Sequence, residues 1–108
     1  MKIKLMCFVF ISALLLQSCG KEEGKPIVWS EHTGKCLDVS AGGTDNGTNI
    51  QLWDCESDNA NQKFEYNSDT KEITWSGKCV DVAGNRTANG TNILLWSCHG
   101  GKNQKFDI

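Results

Sequence analysis

The 108-residue sequence has little of several residue types whose abundance would point to a function. It contains one proline against 11 glycines, a balance that favours many turns and short strands. The formal net charge is −2, so the basic surface needed to bind nucleic acid is lacking and nucleic acid is not an expected partner. Two histidines occur, His32 and His99, and neither has partners at ligand spacing. The sequence therefore predicts no metal site and no cofactor.

Beyond its amino terminus the sequence also lacks a helical hydrophobic period. The hydrophobic residues make up 39% of the chain and fall in short runs between segments rich in glycine, asparagine, aspartate and threonine. A chain of this length is expected to form one domain at most. These features predict an all-β fold.

The first residues form a segment unlike the rest. Lys2 and Lys4 precede an apolar run from Leu5 to Leu16, which is too short to span a bilayer and fits an export signal. The letters LQSC, from Leu16 to Cys19, follow at the end of this run and resemble a bacterial lipoprotein signal. The resemblance implies that residues 1–18 are a lipoprotein signal peptide and that Cys19 is lipidated. The alternative is an ordinary secretory signal followed by a chance cysteine.

The number of cysteines favours the lipoprotein interpretation. Of six cysteines, Cys7 is lost with the signal peptide, and four of the other five occupy repeated positions. Cys19 has no counterpart, and a thioether-linked lipid would account for it. Residues 19–26 are polar and read as a lipidated tether. The letters KEE after Cys19 are similar to signals that send lipoproteins to the cell surface in some Gram-negative bacteria, so we expect an exported, membrane-anchored protein, with the cell surface as a further expectation.

An internal repeat organises the remaining chain. The stretch from Gly34 to Phe64 recurs from Gly77 to Phe106, with the cysteines displaced by 43 residues and with 18 of 30 aligned positions identical. Both copies retain an aspartate, a tryptophan, an Asn-Gln pair and two cysteines. These residues predict a stapled scaffold that carries a small polar site beside an aromatic side chain.

Each repeat is predicted to contain four short strands. Residues 27–66 form the first repeat and residues 67–108 the second. The predicted strands are Ile27–Ser30, Lys35–Val39, Asn49–Cys55 and Gln62–Tyr66, then Glu72–Ser76, Lys78–Val82, Asn92–Cys98 and Gln104–Ile108. Trp29 and Trp75 lie at unequal distances from the repeated motifs, and we expect them in the core.

The repeated motifs CLDV and NGTNIQLW, with a closing Q-x-aromatic, resemble those of the ricin B-type β-trefoil lectins. The resemblance covers residues 27–108 and implies a β-trefoil-like fold with two of the three four-stranded repeats. Phe64 and Phe106 stand where that family usually has tryptophan. Four cysteines allow three connectivities. We expect Cys36–Cys55 and Cys79–Cys98, because each pair joins neighbouring strands of one hairpin.

Two repeats supply only four of the six strands that close a trefoil barrel, which leaves apolar surface and two open edges. Three arrangements would account for this. The chain could be an open two-lobe domain, it could self-associate so that three chains form two complete trefoils, or it could be a fragment of a longer protein. We expect self-association or a protein partner.

The resemblance also implies a sugar pocket in each repeat. The matching residues of the first are Asp38, Gln51, Trp53, Asn61 and Gln62. Those of the second are Asp81, Trp96, Asn103 and Gln104, and Leu94 replaces the counterpart of Gln51. A sugar needs an aromatic platform for its apolar face and a carboxylate and amides for its hydroxyl groups, which these residues would supply.

Carbohydrate binding by a membrane-anchored lectin module is therefore the function that the sequence predicts. The motif carries one carboxylate in each repeat and no adjacent base or nucleophile, so we expect no enzyme activity. The alternative is a non-catalytic protein-binding module or an accessory subunit of a surface or toxin complex, which the missing third repeat would favour. In that case the repeated tryptophans would be core residues and the repeated aspartates would be turn residues.

Overall fold

A computed structural model describes residues 24–108. The predicted signal peptide 1–18, the lipidation site Cys19 and most of the tether 19–26 lie outside the described residues. Lys25, near the end of that tether, already pairs with Phe64 through two backbone hydrogen bonds of 2.7 and 2.9 Å. Within residues 24–108, no helix has the length and apolar character needed to cross a membrane.

The described chain is built from six strands and four 3₁₀ turns, so the prediction of an all-β fold is confirmed. The strands are β1 Lys35–Val39, β2 Ile50–Asp54, β3 Glu65–Asn67, β4 Glu72–Trp75, β5 Lys78–Val82 and β6 Ile93–Trp96. The 3₁₀ turns are Ser40–Gly42, Ala60–Gln62, Ala83–Asn85 and Lys102–Gln104.

Two equivalent hairpins form the centre of the structure. β1 and β2 pair antiparallel as one sheet, and β5 and β6 pair in the same way at the edge of a second sheet with the order β3-β4-β5-β6. The register places Asp38 opposite Gln51 and Asp81 opposite Leu94. The repeat seen in the sequence is therefore a repeat of structure.

The outer strands of the repeats are less regular than the sequence predicts. The predicted strand Ile27–Ser30 is reduced to one bridge between Val28 and Cys36. Gln104–Ile108 was predicted as a strand and forms none; it follows the turn Lys102–Gln104, and the Phe106 N–H donates to the Lys71 carbonyl at 2.9 Å. Strand geometry requires a continuous partner, and these segments meet only isolated backbone groups.

The core lies on one face of both hairpins. Because side chains alternate along a strand, Val39 and Ile50 point inward from the first hairpin, and Val80 and Leu95 from the second. Phe64 and Ile73 complete the buried cluster. Phe64, the closing aromatic of the first repeated motif, therefore lies in the core at 3% exposure.

Trp29 and Trp75 were both expected in the core, and the structure places only one of them against it. Trp29 is 43% exposed and contacts His32 edge to face, with ring centroids 4.2 Å apart. The prediction for Trp29 is wrong because its strand is too short to carry the side chain inward. Trp75 packs half-buried against the core, and its indole N–H donates to the Ala60 carbonyl at 2.9 Å.

The predicted disulfides Cys36–Cys55 and Cys79–Cys98 are confirmed, with Cα–Cα distances of 5.1 and 5.0 Å. Each closes one hairpin over 19 residues. In the loop-entropy model a loop of this size stabilises the fold by about 3 kcal/mol. Such staples suit a small domain with a limited core.

The two repeats are joined by backbone hydrogen bonds. The Gly47 N–H donates to the Leu95 carbonyl at 2.8 Å, and the Leu95 N–H donates to the Thr48 carbonyl at 2.9 Å. The long loop of the first hairpin therefore pairs with the outer edge of β6 in the second.

Candidate functional site

Asp38 lies at the centre of the first candidate site. It occupies the penultimate position of β1, between two residues that face the core, so its side chain points to the opposite face of the hairpin. The residue is only 3% exposed. A buried carboxylate requires hydrogen-bond partners, and the nearby amides supply them.

Gln62 is the buried partner of Asp38. Its amide nitrogen donates to Asp38 Oδ2 at 3.0 Å and to the Asp54 carbonyl at 2.8 Å, and its amide oxygen accepts from the Glu56 N–H at 2.9 Å. The 3₁₀ turn Ala60–Gln62 brings the side chain under the hairpin, where it is 1% exposed. These bonds use both donors of the amide, so Gln62 holds the carboxylate in place.

Two further amides approach the same carboxylate. Gln51, directly across the hairpin, donates to Asp38 Oδ1 at 3.1 Å, and Asn59 donates to Oδ2 at 3.4 Å. An ionised carboxylate accepts on both oxygens, whereas an asparagine would turn an NH₂ group toward one of these donors. The surroundings of Asp38 thus require an aspartate.

An aromatic side chain and a further amide complete the first site. Trp53 follows Gln51 by two positions on β2, so both side chains project from the same face, and Trp53 is 51% exposed. Asn61 is half-buried, and its side-chain amide makes no hydrogen bond within residues 24–108. The Trp75 indole holds the turn that carries Asn61. The structure therefore joins Asp38, Gln51 and Gln62 by hydrogen bonds, with Trp53 on the strand face of Gln51 and Asn61 beside Gln62 in the turn.

The second repeat contains the same buried pair. The Gln104 amide nitrogen donates to Asp81 Oδ2 at 2.8 Å and to the Ser97 carbonyl at 3.0 Å, and its oxygen accepts from the His99 N–H at 3.0 Å. Asp81 is 4% exposed and Gln104 is fully buried. Trp96 projects from the same face and is 42% exposed.

Two polar groups differ between the sites. Leu94 stands across from Asp81, and Asp81 Oδ1 therefore has no hydrogen-bond partner within residues 24–108. No fully buried side-chain oxygen or nitrogen in this range lacks a partner, so Oδ1 keeps some solvent-accessible surface although Asp81 is only 4% exposed. Asn103 in turn donates its amide to the Val82 carbonyl at 3.1 Å, whereas the amide of Asn61 is free of such a bond.

His99 lies beside the second carboxylate, a position that the sequence did not reveal. His99 Nε2 lies 3.6 Å from Asp81 Oδ2, and His99 Nδ1 accepts from the Gly101 N–H at 3.1 Å. This bond places the proton of the neutral ring on Nε2, where it faces the carboxylate. The ring thus approaches Asp81 from the side on which Asn59 approaches Asp38.

Asn59 and His99 are the two residues that sequence reasoning missed. Asn59 begins the turn Ala60–Gln62, and its side-chain oxygen accepts from the Asn61 N–H at 2.9 Å. An asparagine two residues before another polar position is a turn signal that could have indicated this role. His99 follows Cys98 as Glu56 follows Cys55, so alignment of the cysteines could have placed it.

The described part of the chain offers no evident metal site: residues 24–108 contain no group of three or more histidine, cysteine, aspartate or glutamate side chains able to hold an ion. The two polar clusters are built from a carboxylate, amides and an aromatic. This chemistry suits a neutral ligand that carries hydroxyl groups and an apolar face.

Comparison with known proteins agrees with the fold. The sequence matches the ricin-type beta-trefoil lectin domain over residues 16–108. A search of curated proteins finds no match. The structure is similar to a designed three-fold symmetric protein, ThreeFoil, with 30% identity and a TM-score of 0.65 over 73% of this chain and 59% of that chain.

Two plant proteins share the fold at lower identity. One is a non-toxic homologue of type II RIPs from Momordica charantia, solved with α-methyl-D-galactoside, with 22% identity and a TM-score of 0.58. The other is the agglutinin from Abrus precatorius, with 23% identity and a TM-score of 0.59. The matches cover 71% and 70% of this chain, and it spans 27% and 28% of those chains.

Proposed function

The chain belongs to the ricin-type β-trefoil lectin family, and from this premise we propose that it binds carbohydrate through one shallow pocket on each hairpin. One observation carries the proposal. Each hairpin holds a buried carboxylate, fixed by a buried glutamine, on the face that also exposes a tryptophan. A sugar pairs its apolar face with an aromatic ring and its hydroxyl groups with carboxylate and amide groups, and both kinds of partner are present.

In the first pocket, we assign contact with the ligand to Asp38, Gln51, Trp53 and Asn61. Trp53 is exposed enough to stack on a sugar ring, and the Asn61 amide has no competing bond within the described residues. The Gln51 amide nitrogen is held by Asp38, which directs its oxygen outward as an acceptor. Gln62 positions Asp38 and does not contact the ligand, since its amide is already fully bonded.

In the second pocket, the corresponding ligand contacts are Asp81, Trp96 and Asn103, with Gln104 as the positioning residue. The open Oδ1 of Asp81 is the acceptor for a sugar hydroxyl. Leu94 supplies no amide, so this pocket forms fewer polar contacts than the first. We therefore propose that both pockets bind and that the first binds more tightly.

We further propose that the pockets bind without catalysis. Asp38 is buried and accepts from three amide groups, which leaves it poorly placed to attack a substrate carbon or to take up a proton. Asp81 has His99 and Gln104 as its side-chain partners, and within residues 24–108 no second carboxylate bonds to this cluster to complete the pair that glycoside hydrolysis uses. Binding is the function that these groups support.

Lipidation at Cys19 would hold many copies on one membrane. A single shallow pocket binds with about 4 kcal/mol, which corresponds to millimolar affinity. Two pockets on each chain, together with clustering, raise avidity by about two orders of magnitude or more. Weak sites presented in number suit capture of a polysaccharide or a cell-surface glycan by an exported lipoprotein.

We also propose that a second copy or a protein partner completes the barrel. The chain spans 59% of a designed three-fold symmetric protein, which agrees with two of three repeats. Leu52 lies on the core-facing side of β2 and is still 47% exposed, as expected where a neighbouring repeat is missing.

A glycan array probed with the purified mature protein tests the proposed function. We expect binding to at least one glycan, lost when Asp38→Ala and Trp53→Ala are combined with Asp81→Ala and Trp96→Ala. Lys63→Ala, an exposed change outside both pockets, serves as the control. Absence of binding across a broad array, with a stable protein complex recovered instead, would favour the accessory-subunit alternative.

A further inference from the structure

Leu52 and Leu95 occupy the same position in the two repeats, yet their surroundings differ. Each is the third residue of its strand, Leu52 of β2 and Leu95 of β6. Each also pairs with the third residue of the partner strand: Leu52 with Leu37, and Leu95 with Val80. Leu95 is fully buried, whereas Leu52 is 47% exposed. The sequence and register are equivalent, so the difference comes from what lies beside each strand.

Leu95 is covered by the loop of the first repeat. Just beyond β5 and β6, the Ala83 N–H donates to the Asn92 carbonyl, so these two residues form a hydrogen-bonded pair. Hydrogen-bonded and non-hydrogen-bonded pairs alternate along an antiparallel ladder, so the Val80–Leu95 pair, three positions away, is a non-hydrogen-bonded one. The Leu95 N–H and C=O therefore point away from β5. They bond instead to Thr48 and Gly47, at 2.9 and 2.8 Å.

Leu52 presents the same backbone groups to an open edge. At the two ends of this hairpin, the Cys55 N–H donates to the Gly34 carbonyl and the Ser40 N–H donates to the Asn49 carbonyl. Both pairs lie three positions from Leu37–Leu52, and the two kinds of pair alternate, so Leu37–Leu52 is a non-hydrogen-bonded pair. The Leu52 N–H and C=O therefore point outward from β2. In residues 24–108 β2 pairs with β1 alone, so these groups lack a strand partner.

The loop that would fit this edge is already formed in the second repeat. Gly90 has φ +92°, as Gly47 has φ +96°, a region open to glycine. The Thr91 hydroxyl donates to the Ala88 carbonyl at 2.8 Å, matching the Thr48 hydroxyl bond to the carbonyl of Asp45 at 2.7 Å. The counterpart loop thus holds the binding conformation without an occupied edge beside it.

We propose that the loop Ala88–Thr91 of one chain docks on the open edge of β2 in a second copy of the same chain. The Gly90 N–H donates to the Leu52 carbonyl of the second copy, and the Leu52 N–H of that copy donates to the Thr91 carbonyl. This contact between two chains would have the same hydrogen bonds as the contact that Gly47, Thr48 and Leu95 make within one chain. This inference rests on the proposed completion of the barrel by self-association and names the surfaces that meet.

The interface is heterologous, because the loop of one copy meets the edge of another. Such contacts form closed rings or, where the rotation does not close, filaments. Docking leaves the pockets open: the second hairpin already carries this contact within the chain, and Trp96 remains 42% exposed. Trp53 is therefore expected to stay accessible in the assembly, and several pockets would be presented together.

The assembly is tested by measuring the mass of the purified mature protein by sedimentation, in detergent if it carries a lipid. The wild type is expected to associate. Leu52→Lys places a charge on the docking edge, and Gly90→Val strains the loop because its φ is positive. Each change is expected to weaken association by about 30-fold or more, the loss typical of a central interface residue.

Matched controls separate the interface from folding. Val28→Lys charges another exposed apolar residue, and Gly77→Val strains a glycine with φ +79° that lies in open space away from the loop. Both are expected to associate as the wild type does. Both intrachain disulfides and the tryptophan fluorescence spectrum should be unchanged in Leu52→Lys and Gly90→Val.

Mixing the two interface variants gives the sharpest test. Leu52→Lys keeps an intact loop and Gly90→Val keeps an intact edge, so the mixture is expected to form a 1:1 heterodimer although each variant alone is monomeric. A monomeric wild type, or a mixture that stays monomeric, would overturn the proposal. Glycan binding by a monomeric wild type would overturn the interface alone, and an associating protein that binds no glycan would overturn the lectin function alone.

Discussion

The Gln62 amide nitrogen lies 3.0 Å from Asp38 Oδ2, and both residues are buried although both are polar. The same bond joins Gln104 to Asp81 at 2.8 Å in the second repeat. In each case the glutamine oxygen accepts from the backbone N–H of the residue after the second cysteine, which is Glu56 in the first repeat and His99 in the second. One side chain therefore fixes both the loop and the carboxylate.

This relationship predicts that Gln62→Leu affects binding and stability together. Asp38 would lose a donor, and the backbone groups of Asp54 and Glu56 would lose their partner. We expect the free energy of unfolding to fall by about 1–3 kcal/mol, the cost of leaving buried groups unsatisfied, and first-pocket affinity to fall with it. Urea denaturation and glycan titration measure the two effects.

Asn61→Ala is the matched control for Gln62→Leu. Its side-chain amide makes no hydrogen bond within the described residues, so we expect lower affinity with little change in the free energy of unfolding. Wild-type affinity in Gln62→Leu would show that Asp38 does not depend on its buried partner.

Leu94→Gln is expected to strengthen the second pocket. The new amide would lie across from Asp81, as Gln51 lies across from Asp38, and would add a hydrogen-bonding group. One added hydrogen bond contributes about 0.5–1.5 kcal/mol, so affinity should rise by roughly 2- to 10-fold. The titration is made in an Asp38→Asn background, where only the second pocket is read. Weaker binding would mean that the open Asp81 Oδ1 is itself the better acceptor.

Removal of one disulfide should cost stability without abolishing the pocket chemistry. Cys36→Ser with Cys55→Ser is expected to lower the free energy of unfolding by about 3 kcal/mol, because the unfolded chain regains its loop entropy. Reversible urea denaturation measures the loss. The Cys79–Cys98 disulfide closes a loop of the same size, so Cys79→Ser combined with Cys98→Ser is expected to lower the free energy of unfolding equally.

The Lys71–Asp107 pair predicts a small effect of alkaline pH. The hydrogen bond from Lys71 Nζ to Asp107 Oδ1, 2.6 Å long, raises the pKa of Lys71 above its ordinary value of 10.5. A raised pKa means that the stabilising contribution is fully present below pH 10.5 and is lost as pH rises through the higher folded value. The fall in Tm above pH 10.5 should be smaller in Lys71→Met than in the wild type. Equal falls would show that the pair does not contribute, as solvent-exposed pairs often do not.

Much of this arrangement follows from the sequence, because the repeat tests each feature twice. The strands Lys35–Val39 and Lys78–Val82 have the predicted bounds. Polar and apolar residues alternate along each of them, and the same turn signal follows both, which leaves little choice of register. The pairing of the cysteines followed from the same hairpins. The sequence predicts that Gln62 and Gln104 lie near the aspartates. It does not predict that backbone groups occupy the remaining hydrogen-bonding positions of their amides, because those bonds depend on the path of the loop.

What the sequence could not indicate depends on contacts between distant segments. Alignment of the cysteines places His99 opposite Glu56, but its approach to Asp81 Oδ2 at 3.6 Å depends on the path of the loop after Cys98, which is one residue shorter than its counterpart after Cys55. The exposure of Trp29 reflects a strand that has only one bridge to β1. The sequence predicts apolar surface left open by the missing third repeat, but it does not show that this surface includes Leu52 and not Leu95, because both residues stand in the same motif.

The most direct test of the central claim is calorimetric titration of the mature protein with a glycan selected on the array, comparing the wild type with Asp38→Asn combined with Asp81→Asn. Asparagine has nearly the shape of aspartate but turns an NH₂ group toward the neighbouring amide donors. We expect measurable binding by the wild type and a loss of affinity of at least about tenfold in the variant, because charge-assisted hydrogen bonds are the stronger ones. Unchanged affinity in a folded variant would contradict it.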